Sequence, residues 1–304
     1  MYYEQRNIFF KYEIRDWKTW GDVFQSVSIF EPLIKRIFEI EQIPFGKIEN
    51  TKPGTHGVFK VGKYIVKIFA PKASEYDSTS AYETEIKAMD IAHKLDILVP
   101  KMIAKGSVDD KYEFNYLIME YIDGITIGDI KSSLSSDQKY IIGKKIKWIV
   151  DRFSKSSEHI NEIEVINRTL ASDKWMDCPK DIKDMQTLFL NQIKDEKRVF
   201  VHGDLTEDNI IITPNFDIYI LDFADAVSAP KIYEYMPLIA DAFSFDKDFI
   251  RGFFGDINIH ELATLCLHGI LVHEYGFQSI KQLFTDVIDV KTLKEQIYFA
   301  MGKV

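Results

Sequence analysis

The spacing of apolar positions changes rhythm twice along this chain of 304 residues. Through residues 1–43, Trp17, Trp20, Phe24, Ile29, Leu33, Ile37 and Ile40 recur at intervals that predict a largely helical segment. After Pro44 the pattern becomes short apolar runs punctuated by glycine. Runs at 45–48, 58–61 and 64–69 predict a three-stranded meander, with a loop over 51–57 and a tight turn at Gly62-Lys63. A polar, serine-rich stretch over 73–80 leads into a predicted helix over about 81–94 that ends before Pro100. Two further strand-like runs follow, 102–104 and 116–119.

From about Ser136 helical patterns dominate, apart from residues 199–222. There the order is strand, acidic loop, strand, turn, strand, which predicts one short β-hairpin inside a helical region. No internal repeat or low-complexity tract interrupts the chain. The order predicts an α+β protein of two lobes. Residues 1–123 form a small β-rich N-lobe, with 1–43 as a helical extension, and residues 124–304 form a larger, mainly helical C-lobe.

Composition narrows the class of function. Apolar residues make up 46% of the chain, too many for a disordered one. The net charge of −9 argues against nucleic acid and against an anionic membrane surface, since both need a basic face. That charge is unevenly placed: residues 181–260 carry seven basic and fifteen acidic side chains, and the remainder nearly balances. Cys178 and Cys266 lie far apart and form no C-x-x-C pair, so a reducing cytosol is the expected compartment. The first six residues lack the basic and apolar regions of a secretory signal. No obligate protein partner is evident.

The candidate chemistry sits on the predicted hairpin. Val201-His202-Gly203-Asp204-Leu205-Thr206-Glu207-Asp208-Asn209 is followed by Ile220-Leu221-Asp222-Phe223-Ala224-Asp225. His202, Asp204, Asn209 and Asp222 stand at the ends of apolar strands, and a hairpin between Asn209 and Asp222 draws the two loops together. One carboxylate can accept a hydroxyl proton. An amide and a second carboxylate can hold a hard cation through oxygen, the arrangement that phosphoryl transfer with Mg²⁺ requires.

The pattern H-G-D-L-x-x-x-N followed by (I/L)-D-F resembles the signature of aminoglycoside phosphotransferases and their choline-kinase-like relatives, which share the protein-kinase-like fold. The resemblance extends over residues 45–225 in order. Gly54-Thr55-His56-Gly57 is similar to the family's phosphate-covering loop, with Gly54, Thr55 and Gly57 as its candidate nucleotide-binding residues. Tyr64-Ile65-Val66-Lys67-Ile68-Phe69 resembles the strand that carries the family's lysine. Leu117-Ile118-Met119-Glu120-Tyr121-Ile122-Asp123-Gly124 resembles the hinge. The helix beginning near Tyr82-Glu83-Thr84-Glu85 offers the lysine a partner; Glu85, among the core positions Tyr82, Ile86 and Met89, is favoured over Glu83, which aligns with Lys87 and Asp90.

The resemblance implies transfer of the γ-phosphoryl of ATP or GTP to a hydroxyl of a small molecule. It makes Asp204 the base, Asn209 and Asp222 the Mg²⁺ ligands, and Lys67 with Glu85 the holders of the α/β-phosphates. The backbone of Glu120 and Ile122 hydrogen-bonds the adenine, and His202 supports the loop. A long peptide-docking segment is missing, because Ala229-Pro230-Lys231 follows Asp222 within a few residues. Small acceptors are therefore expected, with a cationic aminoglycoside leading and choline, an amino alcohol or a sugar as alternatives. A non-catalytic nucleotide-binding protein is the competing class, although every expected catalytic position holds a competent residue. His260-Glu261 lacks the second histidine of a zinc motif, Thr264 standing there, and His268 and His273 do not share a helical face. Asp208 and Asp225 read as solvated loop carboxylates, and His56 as a residue facing solvent.

Overall fold

A computed structural model describes residues 8–302 apart from Asp77 and Ser157. Residues 1–7 of the helical extension, and one position of the polar stretch over 73–80, thus lie outside the described residues. The chain divides into two compact units: one comprises residues up to Glu83 with Pro100–Asp123, the other Thr84–Val99 with everything from Gly124.

The first unit is built on an antiparallel sheet in the order β1-β2-β3-β5-β4. Its N-terminal segment folds as α1 (Trp17–Gly21) and α2 (Val27–Ile40). The helical pattern therefore breaks at 22–26, and Trp17 and Ile40, on the predicted apolar stripe, are exposed. Asp16 and Thr19 close a reciprocal capping box that starts α1. Strand β1 (Ile48–Asn50) begins where the predicted first strand ends, and Phe45 instead packs edge-on against Phe38 at 5.5 Å.

Strands β2 (Gly57–Val61) and β3 (Tyr64–Ile68) pair in the predicted positions, with Val61 opposite Tyr64. Gly62 turns the hairpin at φ +60°, which glycine adopts without strain. Helix α3 (Ser78–Lys94) starts before the predicted position, where the Ser78 hydroxyl donates to the Ala70 carbonyl. Strands β4 (Met102–Asp109) and β5 (Glu113–Glu120) are both longer than their apolar runs. One cluster unites the helices with the sheet: Phe10, Trp20, Phe30, Ile34 and Phe38 bury against Phe59, Val66, Phe114 and Ile118.

The second unit begins with β6 (Ile125–Thr126), α4 (Ile127–Ile130) and α5 (Ser136–Phe153). Helices α6 (Val165–Ala171) and α7 (Lys180–Ile193) lead to β7 (Val199–Val201), β8 (Ile210–Ile212), β9 (Ile218–Ile220) and β10 (Val227–Ala229). Helices α8 (Lys247–Phe254), α9 (Ile259–Val272), α10 (Gly276–Leu283) and α11 (Val290–Gly302) complete it.

The predicted hairpin is present as β8–β9, but it is not isolated: β6 adds a third strand, and β10 pairs with β7. Gly124 makes the β6 pairing possible, because a Cβ there would stand 2.4 Å from the Ile211 side chain. No helix among the described residues is long and apolar enough to cross a membrane.

Candidate active site

Strand β7 is buried at all three positions and delivers His202 into the interior with no exposed surface. The imidazole bridges two loops. Its Nε2 lies 2.9 Å from the Leu221 carbonyl, and its Nδ1 accepts the Asp204 amide at 3.3 Å. Those two bonds require a neutral ring with its proton on Nε2. The ring also packs on Phe223 at 4.6 Å.

Gly203 follows at φ +82°, and a Cβ there would stand 2.4 Å from the Asp225 carbonyl. Both the dihedral and the space demand glycine. The turn that exposes Asp204 is thus dictated by the residue before it.

Asp204 and Asn209 meet as the spacing predicted. Asn209 Nδ2 donates to Asp204 Oδ2 at 2.9 Å and to its carbonyl at 2.8 Å. The Leu221 amide donates to the Asn209 carbonyl at 2.9 Å, so Asp222 leaves β9 one residue beyond a direct tie to Asn209. Asp222 adopts φ +55°, a left-handed conformation that aspartate tolerates better than most residues. His202, Asp204, Asn209 and Asp222 are therefore held in one loop cluster.

The electrostatics of the cluster are those of crowded carboxylates. Burial pushes the Asp204 carboxyl up to about 8, with Asp225, Asp222 and Asp241 adding to the rise and the Asn209 hydrogen bond opposing it. The oxygen chemistry suits a hard divalent cation. Asn209 spends its amide hydrogens on Asp204, which leaves an amide oxygen as the donor beside the Asp222 carboxylate. A positive charge would also relieve the repulsion that raises Asp204.

Sequence reasoning did not find the residues that brace this loop. Glu234 is fully withdrawn from water and accepts the His202 amide at 2.6 Å and the Gly203 amide at 3.3 Å. Burial pushes its carboxyl up to about 7 despite those two bonds. On the outer side, Asp241 accepts the Glu207 amide at 2.7 Å, and Lys131 bonds the Glu207 carboxylate and the Ser244 hydroxyl. The signal for Glu234 was its frame: a lone carboxylate in the run Ile232-Tyr233-Glu234-Tyr235-Met236.

In the first unit, Lys67 sits in β3 between Val58 and Leu117 and is only 3% exposed. Gly57 opens β2, whereas Gly54 and Thr55 lie in the exposed loop before it. His56 corrects the expectation of a solvent-facing ring: it is 3% exposed and lies 4.5 Å from Phe69, whose face buries it. Glu120 ends β5, its amide donating to the Lys101 carbonyl at 3.0 Å, and Ile122 follows outside the strand. On α3, Glu85, which falls in the second unit, is 1% exposed, and Glu83, which falls in the first, faces water. Tyr82 and Ile86, expected as core positions, are only half-buried, and Thr84 and Ala88 are buried instead. Asp208 and Asp225 are exposed loop residues.

The model of the phosphotransferase enzyme family, APH, matches residues 54–146 and 166–263. The chain belongs to that family. This phosphotransferase is also similar in fold to aminoglycoside 2'-phosphotransferase-IIIa, solved as a GDP complex, with 15% identity, a TM-score of 0.62, and coverage of 92% of this chain and 99% of that one. Choline kinase LicA from Streptococcus pneumoniae superposes with a TM-score of 0.58 at 15% identity, covering 90% and 99%. Aminoglycoside phosphotransferase APH(3'')-Id from Streptomyces rimosus, solved with ADP and streptomycin, gives 0.57 at 15% identity, covering 80% and 98%. No curated protein sequence matches the chain. The phosphotransferase thus has the protein-kinase-like fold, with a β-rich N-terminal part and a helical C-terminal part, and is a small-molecule kinase.

Proposed function

We propose that this phosphotransferase moves the γ-phosphoryl of ATP or GTP to a hydroxyl of a cationic small molecule of the aminoglycoside type. The observation that carries the reading is the Asp204–Asn209 pair, locked beside Asp222 in a loop braced from both sides. Asp204 orients the acceptor hydroxyl and takes its proton as the oxygen attacks the γ-phosphorus. The bond from that phosphorus to the β–γ bridging oxygen breaks, and the nucleoside diphosphate leaves with the electron pair. A cation held by Asn209 and Asp222 would oppose the rise in the Asp204 carboxyl and favour the ionised form that takes the proton.

Asn209 Oδ1 and the Asp222 carboxylate are the groups that would hold Mg²⁺. Bound there, the ion supplies charge neutralisation for the nucleotide phosphates. Lys67 and Glu85 are assigned to the nucleotide, a reading supported by the burial of both side chains, since a charge is kept out of water only where something neutralises it. The Glu120 amide is already engaged with Lys101, so the Glu120 carbonyl and the Ile122 amide are assigned to the purine ring of the nucleotide. His202 keeps the loop in register rather than exchanging protons, because both its ring nitrogens are committed.

The cationic acceptor is supported by the acidic excess over residues 181–260, which contains Asp204, Asp208, Asp222, Asp225 and Asp241. A coupled assay of ADP and GDP release against aminoglycosides, amino alcohols and neutral sugars tests it. Turnover confined to cationic acceptors is expected. Turnover on neutral or anionic acceptors alone would overturn the acceptor assignment and leave the kinase assignment intact. Magnesium-dependent nucleotide binding without turnover on any acceptor would favour a non-catalytic protein.

A further inference from the structure

The N-terminal segment makes direct contact with the loop that the proposed function places over the nucleotide phosphates. The family match begins at residue 54, so this segment lies outside it. Trp20, in α1, is fully buried, and its indole Nε1 donates to the Thr55 carbonyl at 3.0 Å. The Phe24 carbonyl stands 3.0 Å from where a Cβ on Gly57 would be, so the backbone after α1 runs directly along the loop's exit. A second set of contacts holds the loop's middle. Trp17 packs on Tyr76 at 5.0 Å, Tyr76 lies 6.1 Å from His56, and His56 packs on Phe69 at 4.5 Å. The loop's entry is tied by Thr51, whose hydroxyl donates to the Val58 carbonyl at 2.9 Å.

We infer that Trp20 is a positioning residue for nucleotide binding: the segment around α1 clamps residues 55–57 and fixes the phosphate-covering loop in one conformation. A glycine-containing loop that is free in solution must be ordered when it closes on phosphate, and that ordering is charged against affinity. Here the indole bond at Thr55, the buried His56 ring and the Phe24 carbonyl at Gly57 fix three consecutive residues beforehand. Only the tip, Lys52-Pro53-Gly54, and the Thr55 side chain face solvent. The aromatic ring of Trp20 also packs edge-on to Phe30 at 5.8 Å, which anchors the clamp in the same core that supports β2.

This inference rests on the assignment of residues 54–57 to the nucleotide. The test therefore reads the loop and the nucleotide separately. Trp20→Phe keeps an aromatic ring against Phe24 and Phe30 but removes the Nε1 donor. The expected result is faster backbone hydrogen exchange at residues 55–58 and about fivefold weaker Mg·ADP binding, the size of one lost hydrogen bond to a carbonyl. KM for the acceptor should stay unchanged. Trp17→Ala, at a half-exposed position, should weaken Mg·ADP binding in the same direction by releasing Tyr76 and His56, with an unchanged denaturation midpoint separating that effect from a loss of folding. Wild-type exchange and wild-type ADP affinity in both variants would overturn the clamp while leaving the phosphotransferase reading standing. Altered loop exchange in a chain whose wild type binds no Mg·ADP would instead overturn the nucleotide assignment and, with it, this role for Trp20.

Discussion

Glu234 shows how a single buried carboxylate can hold a loop in place. Its two oxygens take the amides of His202 and Gly203, which have no ladder partner once β7 has ended. The cost appears in its titration: burial holds the folded-state value near 7, against 4.5 for a free glutamate. The folded protein therefore retains a proton between those values that the unfolded chain gives up. Glu234 contributes its full stability below about pH 4.5, and the contribution declines as pH rises through about 7. Over that window the change amounts to about 3 kcal/mol. Glu234→Gln cannot ionise, so denaturant titrations at pH 5 and pH 8 should show the wild type losing stability relative to the variant as pH rises. An identical pH dependence in the two proteins would show that Glu234 does not titrate in this range.

At the scale of elements, what could be read from the sequence was set by burial. Strands β2, β3, β8 and β9 alternate or fill with apolar residues and were found at nearly their true bounds. The far half of β4 was missed because most of its side chains face outward, leaving backbone pairing with β5 and little hydrophobic signal. Strands β6 and β10 are two and three residues long, too short for any periodicity, and exist because β8 and β7 offer them free edges. The proposed site residues His202, Asp204, Asn209 and Asp222 were legible because phosphoryl transfer needs those residue types at that spacing. The Glu234, Asp241 and Lys131 braces were not, since any partner of the right length could serve.

The helix packing adds a requirement that no periodicity reveals. Gly143 on α5 and Gly252 on α8 face each other so closely that a Cβ on Gly143 would stand 2.3 Å from the Phe249 carbonyl. Gly143→Ala must push the helices apart. It is expected to destabilise the fold by about 1–3 kcal/mol, the range for overpacked cores, measured as a lowered denaturation midpoint. An unchanged midpoint would mean that the crossing is looser than its backbone contacts indicate.

For the whole molecule, the net charge of −9 has a location, residues 181–260, and under the proposed function a cationic acceptor would be drawn to it. The excess falls on the segment that holds Asp204 and Asp222, where burial and then the neighbouring carboxylates raise the Asp204 carboxyl. The residues proposed for the nucleotide are mostly in the first unit, Lys67, Gly54, Thr55, Gly57, Glu120 and Ile122, and Asp204, proposed as the general base, is in the second. Binding and chemistry should therefore separate on substitution.

The most direct test is to measure turnover and Mg·ADP affinity together in Asp204→Asn, with an acceptor that the wild type phosphorylates. Asparagine fills the same space and can still accept from Asn209, but it cannot take the hydroxyl proton. The expected outcome is unchanged nucleotide affinity with kcat lowered by about 10²–10⁴-fold, the range of general-base catalysis. Turnover near the wild-type rate would contradict the assignment of Asp204 as the base and the account of the site built around it.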